Sequence, residues 1–298
     1  MKKTYALFLL LFGFSLLVTS CKTMEDEDGN LLNNVGANEP GLNGPRYLAY
    51  QLANGDSLVA GYRYNGIKLS QVLYSNQGLK NIIYNGDMIN KITFSGKMDS
   101  DSLDYTQFYT YNNTGKITSI AETRTVYDPD PQVNPSRYKT LYNIYYDSAN
   151  GKVDSIVMKT GKEIPGQTFF YTQYAISKID YHTPVDNYVG NVSKVVKSLG
   201  TLDPSGNFSP IMDETTYEFG NYDDKINPFT LLPYGYNLHM LLESPLNAYH
   251  LSPSNPRLMT INSENLPEPI VYTTTYTYDP QKYALTGFFG INYFYKPF

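Results

Sequence analysis

An all-β fold, an antiparallel meander of hairpins forming a curved or partly closed sheet with little helix, is what this 298-residue sequence predicts. Three observations predict it. From Arg46 onward, short apolar and aromatic runs are punctuated by Gly, Asn, Asp and Pro, the mark of strands joined by turns. A sub-pattern of one apolar residue, two small or polar residues and a β-branched residue recurs as Leu69-Ser-Gln-Val72, Ile89-Asn-Lys-Ile92, Ile117-Thr-Ser-Ile120, Val153-Asp-Ser-Ile156, Ile176-Ser-Lys-Ile179 and Val192-Ser-Lys-Val195. Aromatic content is the third: 30 Tyr and 14 Phe with no Trp, side chains suited to a half-buried pleated surface.

Residues 1–20 read as a secretory leader, with Lys2 and Lys3 followed by an apolar run from Ala6 to Val18 and then Thr19-Ser20-Cys21. That run is too short for a bilayer span, which takes about 20 residues. Residues 21–45 are poor in β-branched side chains and open with Glu25-Asp26-Glu27-Asp28, which reads as a flexible acidic tether. Residues 46–298 form a single β-rich domain.

Within that domain the aromatic runs Tyr62-Arg-Tyr-Asn-Gly66, Ile82-Ile-Tyr-Asn-Gly86 and Phe108-Tyr-Thr-Tyr-Asn-Asn-Thr-Gly115 each lead into a copy of the sub-pattern. Gly and Asn supply the positive φ of tight turns, so each pair is expected to be a hairpin. The stretch Tyr142 to Met158 is the clearest example. The i, i+3 spacing inside the sub-pattern is helical, but the units are short, β-branched and bounded by Gly, which rules against helix. In a flat strand the two apolar residues would face opposite ways. Either both faces of the sheet are partly covered, or the first apolar residue belongs to the turn.

The rhythm breaks from Asn227 to about Pro269, a Pro-rich excursion in which Leu238, Leu241 and Leu242 predict a short helix within Tyr236 to Leu246, ended by Pro245. Strands return from Ile270 to Tyr278 and from Leu285 to Tyr295. Because the repeated hairpins look like scaffold, function is expected where the rhythm breaks and in the long connections.

Several stretches carry resemblances. Val18-Thr19-Ser20-Cys21 resembles a bacterial lipobox, which implies cleavage before Cys21 and acylation of that residue, the only cysteine of the chain. The membrane would then be a partner through the N-terminal lipid, held by about 0.8 kcal/mol per buried methylene. The acidic run resembles the export signal of surface lipoproteins of the Bacteroidota, although Lys22-Thr-Met24 intervenes here. Tyr145-Tyr-Asp-Ser-Ala-Asn-Gly-Lys-Val-Asp-Ser-Ile156 resembles the YD repeat of the rearrangement-hotspot family. With Tyr222-Asp-Asp-Lys-Ile-Asn-Pro-Phe229 and Tyr276-Thr-Tyr-Asp279 it resembles uncharacterised lipoproteins of the Bacteroidota, a resemblance that implies no assigned activity. The triplets Asp56-Ser-Leu, Asp101-Ser-Leu, Asp147-Ser-Ala and Asp154-Ser-Ile resemble an O-glycosylation motif of exported proteins of that phylum. The terminal Tyr293-Phe-Tyr-Lys-Pro-Phe298 resembles the end of an outer-membrane barrel, but the strands are shorter and less regular than the 9 to 11 alternating residues such a barrel needs.

Chemistry is sparse. There are 28 acidic against 23 basic side chains, two of the latter in the leader, and no basic stripe, which excludes nucleic acid as a partner. His182, His239 and His250 are scattered without metal-ligand spacing and read as surface or end-loop residues. No metal, cofactor or catalytic residue is assigned. The carboxylate pairs Asp128/Asp130, Asp213/Glu214 and Asp223/Asp224 meet the composition a polysaccharide-processing enzyme needs, but all lie in turn-like contexts. The favoured reading is an outer-membrane or surface-exposed lipoprotein serving as a binding or envelope-structural module, with a glycan or envelope protein as its ligand.

Overall fold

The computed structural model describes residues 46–98, 101–130, 132–183 and 189–297. The leader, Cys21, the acidic tether and Phe298 lie outside the described residues.

Fifteen strands form one antiparallel sheet. They are β1 (Arg46–Ala53), β2 (Ser57–Asn65), β3 (Lys68–Tyr74), β4 (Leu79–Asn85), β5 (Met88–Met98), β6 (Asp101–Tyr111), β7 (Ile117–Tyr127), β8 (Ser136–Tyr146), β9 (Val153–Glu163), β10 (Gln173–Tyr181), β11 (Val192–Thr201), β12 (Asp213–Gly220), β13 (Leu258–Ser263), β14 (Ile270–Thr273) and β15 (Ile291–Pro297). Each strand from β1 to β13 pairs with the next, and β15 returns to the free side of β1. The sheet is not closed, since β14 and β15 are its edges. The segment 274–290 lies between them. It bridges Tyr278 to Ala284 and Thr286 to Asn292, and Tyr293 N donates to Leu285 O at 2.9 Å.

The expected hairpins are present, and their turn chemistry follows the sequence. Gly66 and Gly86 each adopt φ +59° as the first of two loop residues between paired strands, a conformation a side chain would disfavour. At Asp147 and Asn112 the longer turns are held by side-chain carboxyl or amide oxygens accepting from Ala149 N at 2.7 Å and Thr114 N at 3.0 Å.

The i, i+3 pattern has a cause that neither sequence alternative names. In the hairpins β2/β3, β4/β5, β6/β7, β8/β9 and β10/β11 the register slips by one residue just after the turn. Ser70, Asn90, Thr118, Asp154 and Ser193 are the extra residues of β-bulges, and the apolar residues on either side of each therefore face the same way. Leu69 with Val72, Ile89 with Ile92, Ile117 with Ile120, Val153 with Ile156 and Val192 with Val195 are all buried. Opposite the first member of each pair stands a tyrosine: Tyr64, Tyr84, Tyr111, Tyr146 and Tyr181. Bulges add local twist and bend the strand, so a row of them at one end curves the sheet there. Ile176 and Ile179 span no bulge, and only Ile179 is buried.

The two faces differ in polarity. One outward row runs Arg63, Gln71, Asn81, Thr93, Thr106, Thr123 and Lys139 across β2 to β8 as successive cross-strand partners. Within it Gln71 Nε2 donates to Asn81 Oδ1 at 2.9 Å. The neighbouring row Ser95, Asp104, Thr125, Arg137 and Glu163 is equally polar. On the other side of the first row the outward positions are mixed: Ile83, Lys91, Phe108, Ala121, Leu141 and Lys159, with Ile83 and Phe108 exposed.

The inner face is covered by the chain between β12 and β13. The expected helix is α1, Tyr234–Glu243, with Pro233 before it and Ser244 and Pro245 after it. Leu238 and Leu241 are buried, each removal from water being worth about 1.5–3 kcal/mol. The helix sits close on the bulged strands: a Cβ on Gly235 would lie 3.2 Å from Ile89 Cδ1 and 3.3 Å from Ile117 Cδ1. The Tyr222 to Phe229 element braces this filling. Asn227, fully buried, donates to Tyr249 O at 2.7 Å and Ser252 O at 2.9 Å. Asp223 accepts from Asn255 Nδ2 at 3.2 Å and from the Tyr278 hydroxyl.

Arg46 ties the first strand to the returning chain. Its guanidinium pairs with Asp279, donates to Gln281 Oε1 at 3.3 Å and lies 4.1 Å from the Tyr283 ring centroid. Both partners of the ion pair are buried. Removing one partner strands the other charge, so Asp279→Asn is expected to cost about 3–5 kcal/mol in denaturant unfolding. The apolar double variant Arg46→Met/Asp279→Leu should lose clearly less. Equal losses in the two variants would refute a charge-pair origin.

Candidate functional site

Two constellations stand out, and they differ in access to water. The first is buried at the contact between α1 and the sheet. Lys80 Nζ lies 2.6 Å from Glu243 Oε2, and Tyr105 donates from its hydroxyl to Glu243 Oε1 at 2.9 Å. His239 Nε2 is 3.1 Å from the same hydroxyl, and His239 Nδ1 is 2.9 Å from Gln107 Oε1. Gln107 Nε2 donates to Glu122 Oε2 at 2.7 Å, and Arg124 Nε donates to Glu122 Oε1 at 2.9 Å. Because Gln107 uses its amide to reach Glu122, its Oε1 accepts, and His239 must carry its proton on Nδ1.

Two cations and two carboxylates balance in this network, which is how buried charges become tolerable. Burial opposes ionisation of Glu243, but the Lys80 ammonium overcomes it and holds the carboxyl far below its usual range. Burial pushes the His239 ring down, with Lys80 adding to the effect, so the imidazole is neutral. Although a Glu, a His and a Tyr in contact look like acid–base machinery, Lys80, Gln107, Glu122 and His239 are all buried. Their chemistry is to fasten the helix.

The histidines correct the sequence reading. His239 and His250 are core residues rather than surface or end-loop ones. His250 stacks on Phe229 at 3.5 Å between centroids, and its Nδ1 is buried with no hydrogen-bond partner. His182 Nε2 is 3.1 Å from Phe219 O. No group of three or more metal-ligating side chains occurs among the described residues. Each carboxylate pair is occupied locally: Asp128 and Asp130 accept from backbone N–H groups two residues on, Asp213 accepts from Asn265 and Glu214 from Ser198, and Asp223 and Asp224 serve the brace and Lys225.

The second constellation is open to water. At the bulged end of the sheet, hairpin tips and the start of α1 enclose a cavity of about 480 Å³. Its walls carry the tip tyrosines Tyr84, Tyr111, Tyr146 and Tyr181 together with Tyr234 of α1, and its polar lining includes Lys116, Lys152 and Asp87. Asp87 is the sole carboxylate in that lining, so the two-carboxylate arrangement of a glycosidase is not built here. The Tyr84 hydroxyl is buried with no hydrogen-bond partner. Burial pushes Tyr84 and Tyr111 up to about 12, so both are neutral donors at ordinary pH. Burial also lowers Lys152.

The sequence reading missed this site, having placed function in the excursion and the long connections and not in the repeat. The cavity lies where the excursion meets the repeat: Pro233, Tyr234, Gly235 and Leu251 from one, the tip residues from the other. The recurrent tip tyrosines were the signal.

The class that the fold and site define is a filled antiparallel β-meander with a wet outer face and a tyrosine-walled cavity at its hairpin tips. No family model matches the sequence, and no curated protein matches it. Among solved structures it is similar to a porin-like protein from Bacteroides vulgatus ATCC 8482, at 12% identity over 85% of this chain and 100% of that one, with a TM-score of 0.50. A porin-like protein from Bacteroides uniformis ATCC 8492 also matches, at 13% identity over 74% of this chain and 95% of that one, with a TM-score of 0.22. The first likeness concerns the all-β fold.

Two outcomes follow from the buried groups. Lys80→Met leaves Glu243 without its ammonium and is expected to destabilise the protein by about 3–5 kcal/mol, with Lys80→Arg recovering part of the loss in the same denaturation assay. Burial pushes His250 down to about 3 from the ordinary 6.5. A depressed histidine favours the neutral form when folded, so its stabilisation is complete above pH 6.5 and is lost as pH falls towards 3. His250→Phe should flatten the fall in melting temperature across that window. An unchanged acid profile would remove His250 as its cause.

Proposed function

We propose that this protein is a lipid-anchored envelope protein of a Bacteroidota outer membrane that binds a ligand in the tip cavity. The observation that carries the binding reading is the cavity itself. It is a water-accessible, aromatic-walled recess of small-ligand size. The fold shared with the porin-like protein of Bacteroides vulgatus supports an envelope location.

Anchoring rests on Cys21 and the lipobox-like residues before it, and surface display on the acidic run Glu25 to Asp28. The Tyr222 to Phe229 element and the hairpin repeat support kinship with the Bacteroidota lipoproteins they resemble. The bulged, tip end of the sheet is also the end at which β1 begins, since the Tyr47 hydroxyl donates to the tip carbonyl of Gly66 at 3.1 Å.

Cys21→Ala is expected to move the protein from the membrane fraction to the soluble fraction of the envelope. Retention of the variant with the membrane would defeat the lipid-anchor claim. Protease treatment of intact cells tests display, with degradation expected for a surface-facing protein and protection for a periplasmic one.

A further inference from the structure

In three of the hairpins the residue preceding the first apolar residue of the returning strand is a lysine, and these lysines form a ladder between hairpin tips. Lys68 Nζ donates to Gly86 O of the next tip at 2.7 Å and lies 5.5 Å from the Tyr84 ring. Lys116 does the same to Gly151 O at 3.1 Å, with Tyr146 at 4.8 Å. Lys152 repeats it on Gly190 O at 2.6 Å, with Tyr181 at 4.6 Å. The equivalent position in the hairpin β4/β5 is Met88, whose counterparts on the next tip would be Gly115 and Tyr111. Met88, Tyr111 and Gly115 all line the cavity, so the recess lies where the ladder is interrupted.

We propose that the cavity binds an anionic sugar unit, a ring bearing a carboxylate or phosphate, and that methionine at position 88 keeps it open. This rests on the binding reading above. The polar side chains of the lining are mainly donors. Each ammonium has three N–H groups, and the tip carbonyls engage only one of those of Lys116 and of Lys152. Asp87 stands at the rim, 96% exposed and ion-paired with Lys68 at 2.8 Å. Tyrosine rings offer apolar faces to the C–H side of a sugar while their hydroxyls bond its oxygens. Ring and ammonium alternate along successive tips, so polarity is distributed along the recess. That suits a ligand polar all round better than an alkyl chain with one charged end.

The test is calorimetric titration of the mature protein with tri-galacturonate, glucose 6-phosphate, neutral maltotriose and octanoate at two salt concentrations. Binding of at least one anionic sugar is expected, weakening with salt and by tenfold or more in Met88→Lys and in Lys152→Gln. Met88→Lys should melt at or above the parent temperature because it completes the ladder. Lost binding in a variant melting well below the parent counts against the proposal. Preference for octanoate, or unaltered affinity in a stable Met88→Lys, overturns it. Maltotriose binding as tightly and lost in Met88→Lys would refute the anionic class while leaving the binding module standing. Silence from all four probes and from a glycan array would end both.

Discussion

Glu243 receives Lys80 from β4 and Tyr105 from β6, beside His239 of its own helix, and the rest of the structure depends on that convergence. Among the described residues one sheet of fifteen strands has two faces and no second sheet to cover either. The inner face carries the apolar members of every hairpin, and it must be covered by something from the same chain. The excursion between β12 and β13 supplies the cover. Leucines on α1 provide burial, but burial is non-directional and would tolerate sliding or rotation of a short helix. The carboxylate fixes one position, because any other leaves Lys80 and Glu243 itself without their charged partner.

The bulges give the sheet its curvature, and the filling takes advantage of it. Each extra residue falls immediately after a turn on the same end, so twist accumulates there. Two consequences meet at that end. The tip tyrosines are aligned opposite the first apolar residues of the returning strands, and the start of α1 can approach as closely as Gly235 allows. The recess between tips and helix is what remains when a straight helix start is set against a curved row of hairpins.

Outside, the sheet keeps water. The cross-strand rows from Arg63 to Lys139 and from Ser95 to Glu163 hydrogen-bond among themselves or with solvent, and Arg46 secures the first strand against the returning chain that spans the two free edges. Similarity to a porin-like structure at 12% identity is thus a similarity of backbone path.

The sequence by itself determined the hairpins, their turns, the helix ended by Pro245 and the all-β class, because those depend on neighbours a few residues apart: Gly at positive φ, Asp and Asn bonding their own backbone, β-branched pairs. It displayed the i, i+3 spacing without explaining it, since a bulge is a relation between two strands and has no signature in one of them. It suggested surface positions for His239 and His250, whose burial is set by partners such as Gln107, 132 residues away in the chain. The tyrosines and lysines of the cavity were visible as repeats. That they form a ladder, and that Met88 interrupts it, was decided only by strand register, which brings residues from successive hairpins to within hydrogen-bonding distance.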